Sequence, residues 1–148
     1  MPEVVFVCYG NICRSPMGEA MLQRALDERL GSGHDWTVTS AGVGATDGTP
    51  ASRGTKDVLA ARGIDFRRHR ARYLTPAIAR NAALLVCMEE MQVEQVRRMV
   101  DDPDKVVLLG EGVPDPIGAG PELYEKTAAL IESHIAGVVG KLLDEADA

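Results

Sequence analysis

Apolar and polar positions change their period several times along the chain, and each change marks an element. Val4 to Val7 is an unbroken apolar run inside a first strand from Glu3 to Cys8, the pattern of a strand covered on both faces. Helical spacing then takes over. Met17, Ala20, Met21, Ala25 and Leu26 share one face, Ser15 and Pro16 read as N-cap and first helical residue, and Gly31 as the stop. From Trp36 to Ala41 the chain alternates, with Trp36, Val38 and Ser40 set against Thr37, Thr39 and Ala41, which predicts a second strand. A Gly/Thr-rich loop, Gly42 to Pro50, precedes a helix carrying Val58, Leu59 and Ala61 and ending at Gly63.

The second half repeats the rhythm. Ile64 to Thr75 reads as irregular surface chain, and Thr75-Pro76 as the start of a short helix to about Asn81. Ala83 to Met88 predicts a buried strand. Glu89 to Val100 predicts a helix presenting Met91, Val96 and Val100, and Val106 to Leu109 a fourth strand. After a long loop, Gly110 to Gly120, an amphipathic helix from about Pro121 to Asp144 turns Leu123, Leu130, Ile131, Ile135, Val138, Val139 and Leu142 inward. Strands alternating with helices predict an α/β fold of three layers. A four-stranded parallel sheet carries helices on both faces, with a phosphate-binding loop between strand one and helix one. Ligands of such sheets bind outside the carboxyl ends of the strands.

Length and composition narrow the picture. The 148 residues suit one domain, 1–148, with no internal repeat or linker. No apolar run approaches the ~20 residues that span a bilayer, and the opening MPEVVF carries an acid where a signal peptide carries positive charge, so the expected compartment is the cytoplasm. Three cysteines, Cys8, Cys13 and Cys87, are too few for a disulfide framework and lack zinc-ligand spacing. No metal or other cofactor is expected. A net charge of −6 speaks against nucleic acid as a partner. Arginines nevertheless crowd the middle of the chain, at 62, 67, 68, 70, 72 and 80. They read first as a solvated face, and otherwise as a basic rim that draws in an anionic substrate.

The chemistry concentrates in Cys8 to Pro16. A loop between a strand's end and a helix's start turns successive N–H groups inward and adds the positive end of the helix dipole, a nest for an oxyanion or a thiolate. Cys8 stands at its base, and Gly10, Asn11 and Ile12 form its turn. Arg14 follows at Cys–x5–Arg spacing and returns beside Cys8 to clamp two oxygens. Ser15 can donate to the sulfur. All these groups favour the thiolate. A thiolate attacking phosphorus needs a proton donor for the leaving oxygen. Asp115, stiffened between Pro114 and Pro116, is the candidate.

With those residues in view, the segment CYGNICRSPM (Cys8 to Met17) resembles the signature loop of the low-molecular-weight protein tyrosine phosphatases. The likeness runs over essentially the whole chain: Thr39-Ser40-Ala41-Gly42 is similar to the family's second-strand motif, His69-Arg70-Ala71-Arg72 to its His–x–Ala–Arg segment, Val86-Cys87-Met88 to its third-strand end, and Asp115-Pro116 to its general-acid loop. The resemblance implies Cys8 as a nucleophile forming a phosphocysteine, Arg14 as the phosphoryl clamp and Asp115 as acid and then base. It also implies Asn11, Ser40 and His69 as supports of the loop. Tyr9, Gly10, Asn11, Ile12, Cys13, Ser15 and Ile117 would line or frame the substrate site. Cys13 would be the redox partner of an oxidised Cys8, whereas Cys87 reads as an inert strand residue. The implied partner is a phosphorylated protein, with inorganic phosphate as product, neither nucleic acid nor a membrane span being involved.

Three departures bear on the substrate. Ile117 stands where the family usually carries Tyr or Phe. The loop Val43 to Pro50 holds no aromatic where the family often has one, and Met88-Glu89 replaces Met–Asp. Aromatic stacking could then come only from Tyr9, Tyr73 or Tyr124. Three other functions share parts of the constellation. Arginine phosphatases of this fold carry Thr where this chain has Ile12, and arsenate reductases of the fold use two further downstream cysteines, of which only Cys87 is available. A phosphate-binding module without turnover would need neither thiolate nor acid.

Overall fold

The computed structural model describes residues 2–147. Its elements are β1 (Glu3–Cys8), α1 (Arg14–Leu30), β2 (Thr37–Gly42), α2 (Arg53–Ala61), α3 (Pro76–Asn81), β3 (Leu84–Cys87), α4 (Glu90–Arg97), β4 (Val106–Leu108) and α5 (Pro121–Asp147). The four strands form one parallel sheet in the order β2-β1-β3-β4. Its strands alternate between two apolar layers. Val4 and Phe6 of β1, with Leu84 and Val86 of β3, face a cluster built with α1, α2 and α5. Val5 and Val7, with Leu85 and Cys87, face the layer of α3 and α4. Burial on both faces explains the unbroken apolar run of β1, which lies inside the sheet with a partner on either side. Among the described residues no helix is long and apolar enough to cross a membrane.

The order of strands creates the site. The chain leaves β1 into α1 on one face and leaves β3 into α4 on the other, so the loops after these adjacent strands part and leave a crevice at their carboxyl ends. The loop after β4 folds over the same end, with the Val113 N–H donating to the Met88 carbonyl at 2.7 Å.

Several boundaries differ from the sequence expectation. Helix α1 begins at Arg14 with Cys13 as N-cap, so Ser15 is a first-turn residue rather than the cap. Its hydroxyl is occupied by the loop instead. Strand β2 is shifted by one residue, to Thr37–Gly42. Helix α4 stops at Arg97 and turns Gln92, Val93 and Val96 inward, whereas Met91 is 64% exposed. Gln92 is buried because its Oε1 accepts from the N–H groups of Met88 and Glu89, both at 3.1 Å, a duty that polarity alone does not reveal. On α5 the buried stripe is Tyr124, Thr127, Ala128, Ile131, Ile135, Val138, Val139 and Leu142. Leu123 and Leu130 lie just beside that stripe and are exposed. Thr75 caps α3 as expected, accepting from the Ile78 N–H at 3.2 Å.

Candidate active site

Cys8 ends β1, and its sulfur receives the chain as it curls back: the Asn11 N–H donates to Sγ at 3.3 Å and the Ser15 Oγ lies 3.0 Å away. Ser15 Oγ accepts from Asn11 Nδ2 at 2.8 Å, which leaves its own proton free for the sulfur. Asn11 is the hub of the loop. It takes the left-handed conformation (φ 56°), which Asn tolerates better than most residues, and no other non-glycine does so among the described residues. Its Oδ1 accepts from the Arg72 N–H at 3.0 Å, and its carbonyl lies 2.8 Å from His69 Nε2. A carbonyl can only accept, so Nε2 carries the proton.

Arg14 is 1% exposed, yet its guanidinium reaches the crevice. Nη1 donates to the Glu89 carboxylate and, at 2.9 Å, to the Val113 carbonyl, while Nη2 lies 3.4 Å from Asp115 Oδ2. Nε is buried without a hydrogen-bond partner. A buried donor of this kind costs free energy unless an acceptor meets it, and an oxyanion over the loop would. Asp115 is fixed by its own turn, Oδ1 accepting from the Ile117 N–H at 3.0 Å. Between these groups lies a cavity of about 300 Å³ lined by Cys8, Tyr9, Gly10, Ile12, Cys13, Arg14, Asp115 and Ile117. Asn11 and Ser15 stand behind that wall and hold it.

The supports differ in part from expectation. Ser40 does not bond Asn11 directly. Its hydroxyl donates to Glu19 at 2.6 Å, and its carbonyl accepts from Arg72 Nε at 2.9 Å, so Arg72 is the link between β2 and the loop. Burial pushes the Glu19 carboxyl above its ordinary value. His69 is held by Asn11 and by stacking on Phe66 at 5.2 Å, and burial lowers its pKa. Cys13 Sγ bonds Ser52 Oγ at 3.4 Å and the Tyr124 hydroxyl at 3.3 Å, and Tyr124 also donates to Ser52 at 3.1 Å. Burial raises the Cys13 thiol and, together with the Cys13 contact, pushes Tyr124 up to about 12. Cys87, far more deeply enclosed, is also pushed up to about 12 by burial.

Glu89, Arg72, Ser52 and Tyr124 were not among the residues expected from sequence to build the site. Two of them carried a signal: Glu89 is a carboxylate directly after the β3 terminus, and Arg72 closes the His69-Arg70-Ala71-Arg72 segment. Of the three tyrosines considered for stacking, Tyr124 is buried behind Cys13 and Tyr73 does not line the cavity.

A family profile, described as low molecular weight phosphotyrosine protein phosphatase, matches residues 3–147. The chain belongs to that family. A relative, the low molecular weight protein-tyrosine-phosphatase Etp of Escherichia coli K12, is 33% identical over 136 residues, covering 88% of this chain and 87% of Etp. Two solved structures are similar throughout. The tyrosine phosphatase Wzb from Escherichia coli K30, in complex with sulphate, superposes with TM-score 0.85 at 32% identity over 95% of this chain and 97% of that one. The YwlE arginine phosphatase from Geobacillus stearothermophilus gives 0.86 at 29% identity over 98% and 95%. The chain is accordingly a cysteine-dependent phosphatase, a hydrolase of the low-molecular-weight tyrosine class, on the expected four-stranded parallel fold.

Proposed function

We propose that the enzyme hydrolyses aryl phosphomonoesters, phosphotyrosine in proteins foremost, through a phosphocysteine on Cys8. The observation that carries this is the meeting of Cys8 Sγ, the unpartnered Nε of buried Arg14 and Asp115 around one small cavity. The thiolate attacks phosphorus, and the P–O bond to the aryl oxygen breaks as Asp115 gives that oxygen its proton. Arg14 and the inward N–H groups balance the charge on the equatorial oxygens. Asp115, now a carboxylate, takes a proton from water as that water attacks the phosphocysteine. Phosphate leaves and the Cys8 thiolate returns. Ile12 supports an aryl group over phosphoarginine, because the wall it contributes has no donor or acceptor for a guanidinium.

The proposed compartment is the cytoplasm, where Cys8, Cys13 and Cys87, all free here, stay reduced. Cys13 serves as redox partner: a peroxide oxidises the Cys8 thiolate to a sulfenic acid, and the Cys13 thiol attacks it, forming the disulfide and releasing water. Cys8→Ser is expected to abolish hydrolysis of p-nitrophenyl phosphate while retaining vanadate binding, and Asp115→Asn to slow substrates with poor leaving groups most. Turnover of phosphotyrosine peptides against phosphoarginine peptides decides the substrate. Full activity of the Cys8 variant, or faster release from phosphoarginine, would overturn the reading.

A further inference from the structure

The chain has six aromatic residues, Phe6, Tyr9, Trp36, Phe66, Tyr73 and Tyr124, and only Tyr9 lines the cavity above Cys8. Tyr9 is 63% exposed, so it is not there to fill the core. Its position is nevertheless defined. A Cβ added at Gly44 would fall 2.4 Å from Tyr9 Cζ, 2.6 Å from Cε1 and 2.8 Å from the hydroxyl oxygen, so the ring lies directly against the Gly44 backbone. The chain is tied at the same place, since the Val43 N–H donates to the Cys8 carbonyl at 3.1 Å and the Gly44 N–H to the Tyr9 carbonyl at 2.9 Å. The stretch from Gly42 to Pro50, which carries no aromatic of its own, thus supplies a seat for one that comes from the nucleophile loop.

We propose that Tyr9, seated on Gly44, is the aromatic wall of the substrate site and sets the enzyme's preference for aryl over non-aromatic phosphates. The proposal rests on the reading of Cys8 as nucleophile. A ring that projects from the residue next to the nucleophile stands beside the leaving group of any phosphate held in the nest, in a cavity that the apolar Ile117 also lines. An aryl leaving group stacks on it, and an acetyl group offers no such face. Stacking of one aromatic pair corresponds to roughly 2- to 10-fold in an equilibrium constant.

The test compares kcat/KM for p-nitrophenyl phosphate with that for acetyl phosphate, a small activated phosphate without a ring. Tyr9→Ala and Tyr9→Leu are each expected to lower the aryl-to-acetyl ratio roughly 2- to 10-fold, the fall appearing in KM, and Tyr9→Phe to keep it. Gly44→Ala should push the ring off its seat and lower the ratio in the same direction. The double variant Tyr9→Ala with Gly44→Ala should be no lower than Tyr9→Ala alone, because the methyl then has no ring to displace. An unchanged ratio in Tyr9→Leu, an equal loss on both substrates, or additive effects in the double variant would overturn the proposal. Retained turnover in Cys8→Ser would instead overturn the underlying mechanism, so the two failures are distinguishable.

Discussion

Removing the Glu89 carboxylate is the sharpest single perturbation of the site that leaves the reacting groups in place. Arg14 is almost wholly buried, and its cation has three protein acceptors: Glu89, the Val113 carbonyl at 2.9 Å and Asp115 at 3.4 Å. Breaking a fully buried ion pair costs about 3–5 kcal/mol. The Glu89 side chain is 40% exposed, however, so solvent screens part of the interaction. About 2 kcal/mol is therefore expected for Glu89→Ala, equivalent at this chain length to a fall of roughly 4–8 °C in Tm. The functional loss should be larger than stability alone suggests. Without Glu89 the guanidinium has Asp115 as its only carboxylate, and each turn toward it takes the fork away from the phosphoryl oxygens. Removing one transition-state donor outright costs about 100- to 1,000-fold in kcat, and because Glu89→Ala misorients Arg14 without removing it, a part of that, about 10- to 100-fold, is expected. Glu89→Gln keeps an acceptor oxygen without the charge and should fall between wild type and Glu89→Ala. Urea titration gives the first quantity and p-nitrophenyl phosphate turnover the second. A Glu89→Ala protein with the wild-type unfolding midpoint and wild-type kcat would refute the anchor, leaving Val113, Asp115 and the start of α1 to hold Arg14.

Two further perturbations test the supports. Burial holds the His69 imidazole below its ordinary value of 6.5, against the opposing pull of the Asn11 carbonyl and with Arg70 adding to the lowering. The unfolded chain then takes up the proton first as pH falls, so the contribution of His69 to stability is complete above pH 6.5 and is lost below it. Urea midpoints of wild type and His69→Gln should converge between pH 7.5 and 5.5, whereas parallel curves would show that His69 is not what senses pH. Tyr124→Phe removes a hydroxyl that bridges Cys13 and Ser52 but leaves the ring against Gly54. A loss of about 1 kcal/mol in the urea titration is expected, with kcat on p-nitrophenyl phosphate within about twofold of wild type. A tenfold fall in kcat would mean that the hydroxyl reaches the reacting groups.

What was legible in the sequence was local. Cys8, Asn11, Arg14 and Ser15 sit within eight residues, and their spacing already specifies a closed loop between a strand and a helix. The alternation of strands and helices likewise gave the layers, because each element's apolar period is a property of a short window. What escaped depends on which distant residues the sheet brings together. Ser15 reads as a cap by residue type, but its hydroxyl is taken by Cys8 and Asn11, and the helix starts two residues earlier than capping rules suggest. Ser40 reads as a loop support, but Glu19 from α1 claims its hydroxyl. Gln92 and Tyr124 are buried for the sake of polar partners, and no hydrophobic period announces them.

The proposed aromatic wall falls between the two: Tyr9 is legible in the sequence as a stacking candidate beside Cys8, but its seat on Gly44 is not, and that location has a physical reason. A wall carried by the loop after β2 or by the segment after Asp115 needs that loop to be ordered before it can stack on a substrate. Ordering a long side chain at a binding surface costs about 0.5–1.5 kcal/mol. Tyr9 needs no such separate step. Its backbone is fixed by the same turn that builds the anion nest, and its ring by the Gly44 backbone bonded to it. Folding of the nest therefore orders Cys8 and Tyr9 together. That accounts for a loop from Val43 to Pro50 made of small and polar residues, and for an aliphatic Ile117 in the lining: with the ring fixed beside Cys8, the rest of the rim has no aromatic to supply.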